Sequence, residues 1–341
     1  MWGALMVVLF ALSAVLVTSV PRRGQADRGR LAGPVPGLLL AVAILLVLPL
    51  AENFRMGQVN ALVMACLTMA ILGMERGERA WQHAAGVALA IAVLIKVTPA
   101  VLVLLLLVRG KTTAVWTFLA ACAGGVAVSV AISGADVWGQ FVAFLPAMSY
   151  GKGIVGMFHP IVLSNFSLSA FVMRLAEGAG PAVRLVSILT ALALLGILLR
   201  AMMRYGEGEG RQGVLLATLV LMVVVSPYSW FHHLVFLYPG LVLMFRDLSL
   251  GAGRRWILRA VCTVLLLGAA INFPALYGRI DIPEAIRPFV TSMNLFMLMG
   301  LFLAALWWAR LGSAASRTSP RAAERLPRRL RALVPAGASA G

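Results

Sequence analysis

Glu52-Asn53-Phe54-Arg55, Gly57-Gln58-Val59-Asn60, Lys96-Val97-Thr98-Pro99 and Ser226-Pro227-Tyr228-Ser229-Trp230-Phe231-His232-His233 are polar clusters in a chain that is otherwise almost continuously apolar. Arg55, Lys96, His232 and His233 supply cations or strong hydrogen-bond donors, the groups that grip phosphate oxygens. Gln58 and Asn60 can both donate and accept, which suits hydroxyl groups. Asn165 and Trp230 join them as candidate contacts to a sugar or an acceptor. Such a set fits a lipid phosphate carrying a sugar. Glu52 is the carboxylate nearest the cluster and a candidate proton acceptor, with pairing to Arg55 as its competing role. Each residue also has a plainer reading. Gln58 and Asn60 would hydrogen-bond between helices, Lys96 would snorkel to the headgroups, and the histidines would sit in an interfacial belt beside Trp230.

The elements that carry these residues follow from composition. The 341 residues are 61% hydrophobic and 12% charged, with a mean hydropathy of +0.95, far from a soluble domain. A membrane-crossing helix needs about 20 apolar residues, fewer when it is tilted or enclosed by others. About eleven segments qualify: 1–20, 37–51, 58–73, 81–95, 98–108, 113–133, 181–199, 212–226, 232–245, 256–276 and 289–309. The expected fold is therefore an all-α polytopic membrane bundle over residues 1–309, with a basic tail at 310–341. Residues 81–108 are read as two short helices, because Lys96 is costly at mid-membrane and the residue before Pro99 disfavours helical geometry.

Orientation comes from the 29 Lys and Arg residues. With the tail in the cytoplasm, most of them fall in inside loops, among them Arg22, Arg23, Arg28, Arg30, Arg76, Arg79, Arg109, Lys111, Arg200, Arg204 and Arg211, a strong positive-inside bias. This accounts for most of the +17 formal charge without a nucleic-acid partner, since no single basic face with interleaved aromatics exists. The polar clusters then share the non-cytoplasmic face, as does the long segment 134–180. Within it, Phe158-His159-Pro160 through Ala176 reads as a helix lying in or dipping into the interface. Asp136 is expected to start or cap that segment. Cys66, Cys122 and Cys262 lie in apolar runs, at spacings that suit packing and neither zinc nor a disulfide framework. No metal or cofactor is expected. Met1 to Val20 lacks a basic leader and is not a signal peptide; its outside start and the odd segment count suggest that a helix and loop precede it.

At Gly57-Gln58-Val59-Asn60, Lys96-Val97-Thr98-Pro99 and Ser226-Pro227-Tyr228-Ser229-Trp230 with His232-His233, taken in this order, the chain resembles the polyprenol-phosphate-mannose-dependent mannosyltransferases of glycosyltransferase family 87. The resemblance covers about residues 37–276. Ser164-Asn165-Phe166-Ser167-Leu168 also resembles a family segment, with Phe166 in place of a glutamine. The resemblance implies a GT-C fold in the plasma membrane and a polyprenyl-phosphate sugar donor. A glycolipid or polysaccharide acceptor would be glycosylated on the non-cytoplasmic face. It implies inversion, with a carboxylate taking the acceptor's proton and cations stabilising the departing phosphate. The family's catalytic aspartate, in a first outer loop, has no counterpart here. Two other classes compete: a transporter, which would place its polar groups near the midplane and show repeats, and a non-catalytic truncated homologue.

Overall fold

The computed structural model describes residues 2–20, 47–150, 164–206, 210–249, 255–271 and 282–318. Every regular element among them is helical. In chain order the α-helices are α1 (Trp2–Thr18), α2 (Val47–Arg55), α3 (Asn60–Arg76), α4 (Arg79–Ile95), α5 (Val101–Val108), α6 (Thr112–Ser133) and α7 (Ala135–Phe144). They continue with α8 (Leu168–Leu175), α9 (Pro181–Tyr205), α10 (Arg211–Val224), α11 (Tyr238–Ser249), α12 (Arg255–Ala270), α13 (Arg287–Val290) and α14 (Met293–Thr318). Short 3-10 turns occupy Thr98–Ala100, Leu145–Met148 and Phe231–Leu237. α6, α9 and the Met293–Gly312 part of α14 are long and apolar enough to cross a membrane; the 22 residues of α6 span about 33 Å at 1.5 Å per residue. Arg79–Ile95, Thr98–Val108, Arg211–Val224 and Phe231–Arg246 are shorter apolar helical runs. The expected loop with Arg22 to Arg30, the start of the 37–51 segment, Phe158-His159-Pro160 and most of the basic tail lie outside the described residues.

α10 is the centre of the bundle, with every residue from Arg211 to Val224 buried. Val63, Met64, Leu67 and Ile71 of α3 belong to the same core, which Phe236 and Tyr238 complete. α6 and α9 are apolar but outward-facing, with Trp116, Val128, Ile132, Leu185, Leu189 and Leu192 exposed, the pattern of a surface solvated by lipid. Two glycines set close geometry. Gly77 ends α3 at φ +80°, a left-handed conformation that glycine adopts without a Cβ clash. Gly86 lets α4 approach α6 so closely that a Cβ there would stand 2.5 Å from the Ala114 carbonyl oxygen.

The helix directions sort the polar groups into two ends. α3 runs from Asn60 to Glu75 and Arg76, the chain turns at Gly77, and α4 returns to end at Ile95. Lys96 is extended, with φ −143° and ψ 126°. After the Thr98–Ala100 turn, α5 runs back so that Arg109 reaches Glu75, with Nη1 2.8 Å from Oε1. The helical break thus falls at Lys96, as the lysine and proline predict. Arg211, at the start of α10, places Nε 2.8 Å from the other Glu75 oxygen, close enough for an ion pair though poorly aligned for a hydrogen bond. All three side chains are at least nine-tenths buried. At that end Gly210 and Gly213 of the α10 start meet Ala309 and Ala305 of α14 at backbone contact. The opposite end gathers the start of α3, the end of α4, the end of α10 and the start of α14.

Candidate functional site

At this opposite end the chain leaves α10 through Val225 to Trp230 before the Phe231–Leu237 turn. The backbone of that loop would be left unpaired at the edge of an apolar bundle unless side chains satisfied it. Asn165 does so. Its Oδ1 accepts from the backbone N–H groups of Ser229 at 2.9 Å and Ser167 at 3.1 Å, and its Nδ2 donates to the Pro227 carbonyl at 3.3 Å. Ser167 Oγ donates to the same carbonyl at 3.0 Å, and the Phe166 N–H donates to the Ser229 carbonyl at 3.0 Å. Tyr150 donates its hydroxyl hydrogen to the Val225 carbonyl.

Behind the clamp is Arg174, on α8 and buried. It donates to the Asn165 carbonyl at 2.9 Å and to Ser292 Oγ at 2.9 and 3.2 Å, tying the loop to the residues just before α14. The described part of the segment expected to lie in the interface is therefore packed into the bundle: Leu168, Ser169, Ala170, Met173 and Arg174 are buried. Asp136 sits in the first turn of α7, whose N-cap is Gly134.

The loop delivers His232 and His233, both buried, with ring centroids 4.7 Å apart and nearly perpendicular. His233 stacks on Phe236 at 5.6 Å. Lys96 Nζ lies 2.6 Å from His233 Nε2 and 5.6 Å from the centre of the Phe236 ring. So short a contact makes the ammonium the donor and His233 a neutral acceptor, since two cations at that distance would repel. Burial lowers Lys96 to about 8 from its ordinary 10.5. Among the described residues Lys96 has no carboxylate partner.

Asn60, buried at the first turn of α3, donates Nδ2 to the His232 carbonyl at 3.4 Å. α2 packs along the Phe231–Leu237 turn and carries Glu52 towards His232. Glu52 is engaged: Arg55 donates to it from Nε at 2.7 Å and from Nη2 at 2.6 Å. That fork holds the Glu52 carboxyl below the usual range, which weakens it as a base. The Arg55 side chain is 70% exposed. Gln58 is half-buried; its backbone N–H donates to the Asn53 carbonyl at 3.0 Å.

The structure therefore brings Asn60, Lys96, His232 and His233 together, with Glu52 at their edge. Arg55 faces outward, locked to Glu52. Asn165 serves the loop backbone. Trp230 caps the Phe231–Leu237 turn, its carbonyl accepting from the His233 N–H at 2.8 Å. Sequence reasoning missed Arg174 and Ser292 as the brace behind the loop. A basic residue in an outer segment carries no signal of burial until its helix is packed.

A sequence model described as Glycosyltransferase family 87 matches residues 1–227, a range that includes Asn60, Lys96 and Asn165 and stops short of His232 and His233. The chain is 28% identical over 211 residues to a polyprenol-phosphate-mannose-dependent alpha-(1-2)-phosphatidylinositol mannoside mannosyltransferase of Mycolicibacterium smegmatis, covering 60% of this chain and 45% of that protein. It is 25% identical over 256 residues to a protein of the same description from Mycobacterium tuberculosis, covering 70% and 54%. A polyprenol-phosphate-mannose-dependent alpha-(1-2)-phosphatidylinositol pentamannoside mannosyltransferase of Mycolicibacterium smegmatis is 30% identical over 266 residues, covering 76% and 60%. The chain spans about half the length of these curated relatives.

Proposed function

Since the chain belongs to glycosyltransferase family 87, we propose that it is a membrane mannosyltransferase working from a polyprenyl-phosphate donor on a glycolipid or polysaccharide acceptor. The reading includes an eleven-crossing GT-C arrangement, with the site end on the non-cytoplasmic side and the tail inside. One observation carries it: Lys96 is a half-buried cation with no carboxylate partner among the described residues, and it is aligned by His233. Burying a lone charge is unfavourable, so such a lysine is suited to an anion that arrives and leaves. The lipid phosphate is that anion. In the transfer, the acceptor hydroxyl oxygen bonds to the anomeric carbon and gives up its proton to a base, while the C–O bond to the phosphate breaks and the phosphate leaves with the electron pair. Lys96 stands ready to stabilise the charge that develops there. His232, held through its carbonyl by Asn60, is a further group in reach of the same phosphate.

Asn165 and Arg174 act as positioning residues, holding the loop that presents the histidines. Glu52 is a poor general base while Arg55 occupies both its oxygens. A transporter would concentrate polar groups midway along its helices; here they stand at helix ends. The test is transfer of label from polyprenyl-phosphate [14C]mannose to phosphatidylinositol mannosides by the purified chain in proteoliposomes. Label should appear in a larger glycolipid. If no polyprenyl-phosphate sugar serves as donor, the enzymatic reading fails.

A further inference from the structure

Asn53, on α2, has no exposed surface, and neither its Nδ2 nor its Oδ1 has a hydrogen-bond partner among the described residues. Buried side-chain amides are nearly always paired, and one left unpaired destabilises the fold. Leucine has almost the same shape and would avoid that loss. Two neighbouring groups share the condition: Asn60 Oδ1 and Ser229 Oγ are also buried and unpartnered. The elements that carry them are connected. The Asn53 carbonyl accepts from the Gln58 N–H, closing the turn that leads to Asn60; α2 packs along the Phe231–Leu237 turn; and Asn60 donates to the His232 carbonyl. Asn53 and Asn60 thus lie on the α2–α3 stretch that packs against the histidine turn, and Ser229 lies in the loop that enters the same turn, its backbone held by the Asn165 clamp.

The unused capacity is neutral and of mixed sign. An amide offers two N–H donors and an acceptor oxygen, and a hydroxyl can donate and accept. A phosphate would call for donors alone, and a prenyl chain for neither. Alcohol groups, which also donate and accept, match the set. We infer that Asn53, together with Asn60 and Ser229, forms a subsite that recognises the hydroxyl groups of a sugar, adjacent to the phosphate position at Lys96. This rests on the glycosyltransferase reading above and extends it to a residue that sets sugar specificity. A site built to pair hydroxyls discriminates strongly against a sugar that lacks one, because its own buried groups then stay unpaired.

The experiment compares the full chain with Asn53→Leu, and with Asn53→Ala in case leucine does not fit. Thermal unfolding is measured in detergent, and kcat/KM is measured for the mannosyl donor, a deoxymannosyl donor and a deoxymannose-bearing acceptor. Asn53→Leu should melt roughly 2–5 °C higher while its preference for the hydroxylated sugar falls about 10- to 100-fold. Lost discrimination between donors assigns the subsite to the donor sugar; lost discrimination between acceptors assigns it to the acceptor. Unchanged discrimination by both variants overturns the inference whatever the melting temperature. If the wild-type chain uses no donor at all, the glycosyltransferase reading falls separately. The subsite is then judged on melting alone, and an unchanged or lower melting temperature for Asn53→Leu removes it.

Discussion

Replacing Lys96 with methionine removes a charge that the fold holds at a loss. The lysine is lowered by burial from 10.5 to about 8, a depression worth about 3 kcal/mol against the charged form. The sign follows from proton uptake. Below about pH 8 both folded and unfolded chains carry the proton, and the full penalty applies. Between about 8 and 10.5 the folded chain releases it first, so the penalty fades as pH rises. Lys96→Met should therefore melt higher than wild type at pH 7, and the gap should narrow towards pH 10. Catalysis should move the other way. An ammonium about 4 Å from a phosphate gains ~4 kcal/mol at an effective dielectric constant of 20, enough to offset the burial penalty and keep the lysine charged once the donor docks. Loss of such a charge-assisted contact costs ~2–3 kcal/mol, roughly 30- to 150-fold in kcat/KM. The assay is transfer from polyprenyl-phosphate mannose as a function of pH. Wild-type kcat/KM should fall above about pH 8 as free Lys96 loses its proton, whereas Lys96→Arg should stay flat to higher pH. A methionine variant of wild-type activity, or lysine and arginine profiles that coincide above pH 8, would refute the reasoning.

Glu75→Ala leaves the guanidinium groups of Arg109 and Arg211 buried without their shared carboxylate. It should destabilise the fold by about 3–5 kcal/mol in thermal unfolding, with donor KM unchanged per folded molecule because the triad lies at the other end of the bundle. Asn165→Ala strips the Ser229 and Ser167 N–H groups of their acceptor; kcat should drop roughly tenfold or more with little change in donor KM. Asn165→Asp, which keeps the accepting oxygen, should recover part of that loss, and failure to do so would argue against the clamp. Cysteines at Gly57 and Val97 should react with an impermeant maleimide from outside, and one at Gly110 only after permeabilisation. The reverse labelling would overturn the orientation.

Much of the helical layout was legible because the bilayer forces it: a long apolar run has to satisfy its backbone internally, and helices do so locally. The break at Lys96 was legible for the same reason, since a lysine followed closely by Pro99 states both an electrostatic and a steric objection to a continuous helix. Types and spacing also nominated Asn60, Lys96, His232 and His233. Their roles were less legible where a residue had two plausible partners. Asn165 looked like a ligand contact, yet its amide spans Pro227, Ser167 and Ser229. Arg55 looked like a phosphate ligand, yet it lies one helical turn from Glu52 and closes on it.

What the sequence determined by itself was local: which stretches are apolar, where helices must stop, and which side chains can carry charge or donate hydrogen bonds. Tertiary structure alone decided that Arg174 is a buried brace, that Lys96 meets a histidine 137 residues away, and that Asn53 is enclosed with its amide unpaired. Those outcomes depend on which helix ends coincide in space. Pairing and desolvation are properties of that coincidence, and no span of neighbouring residues contains them.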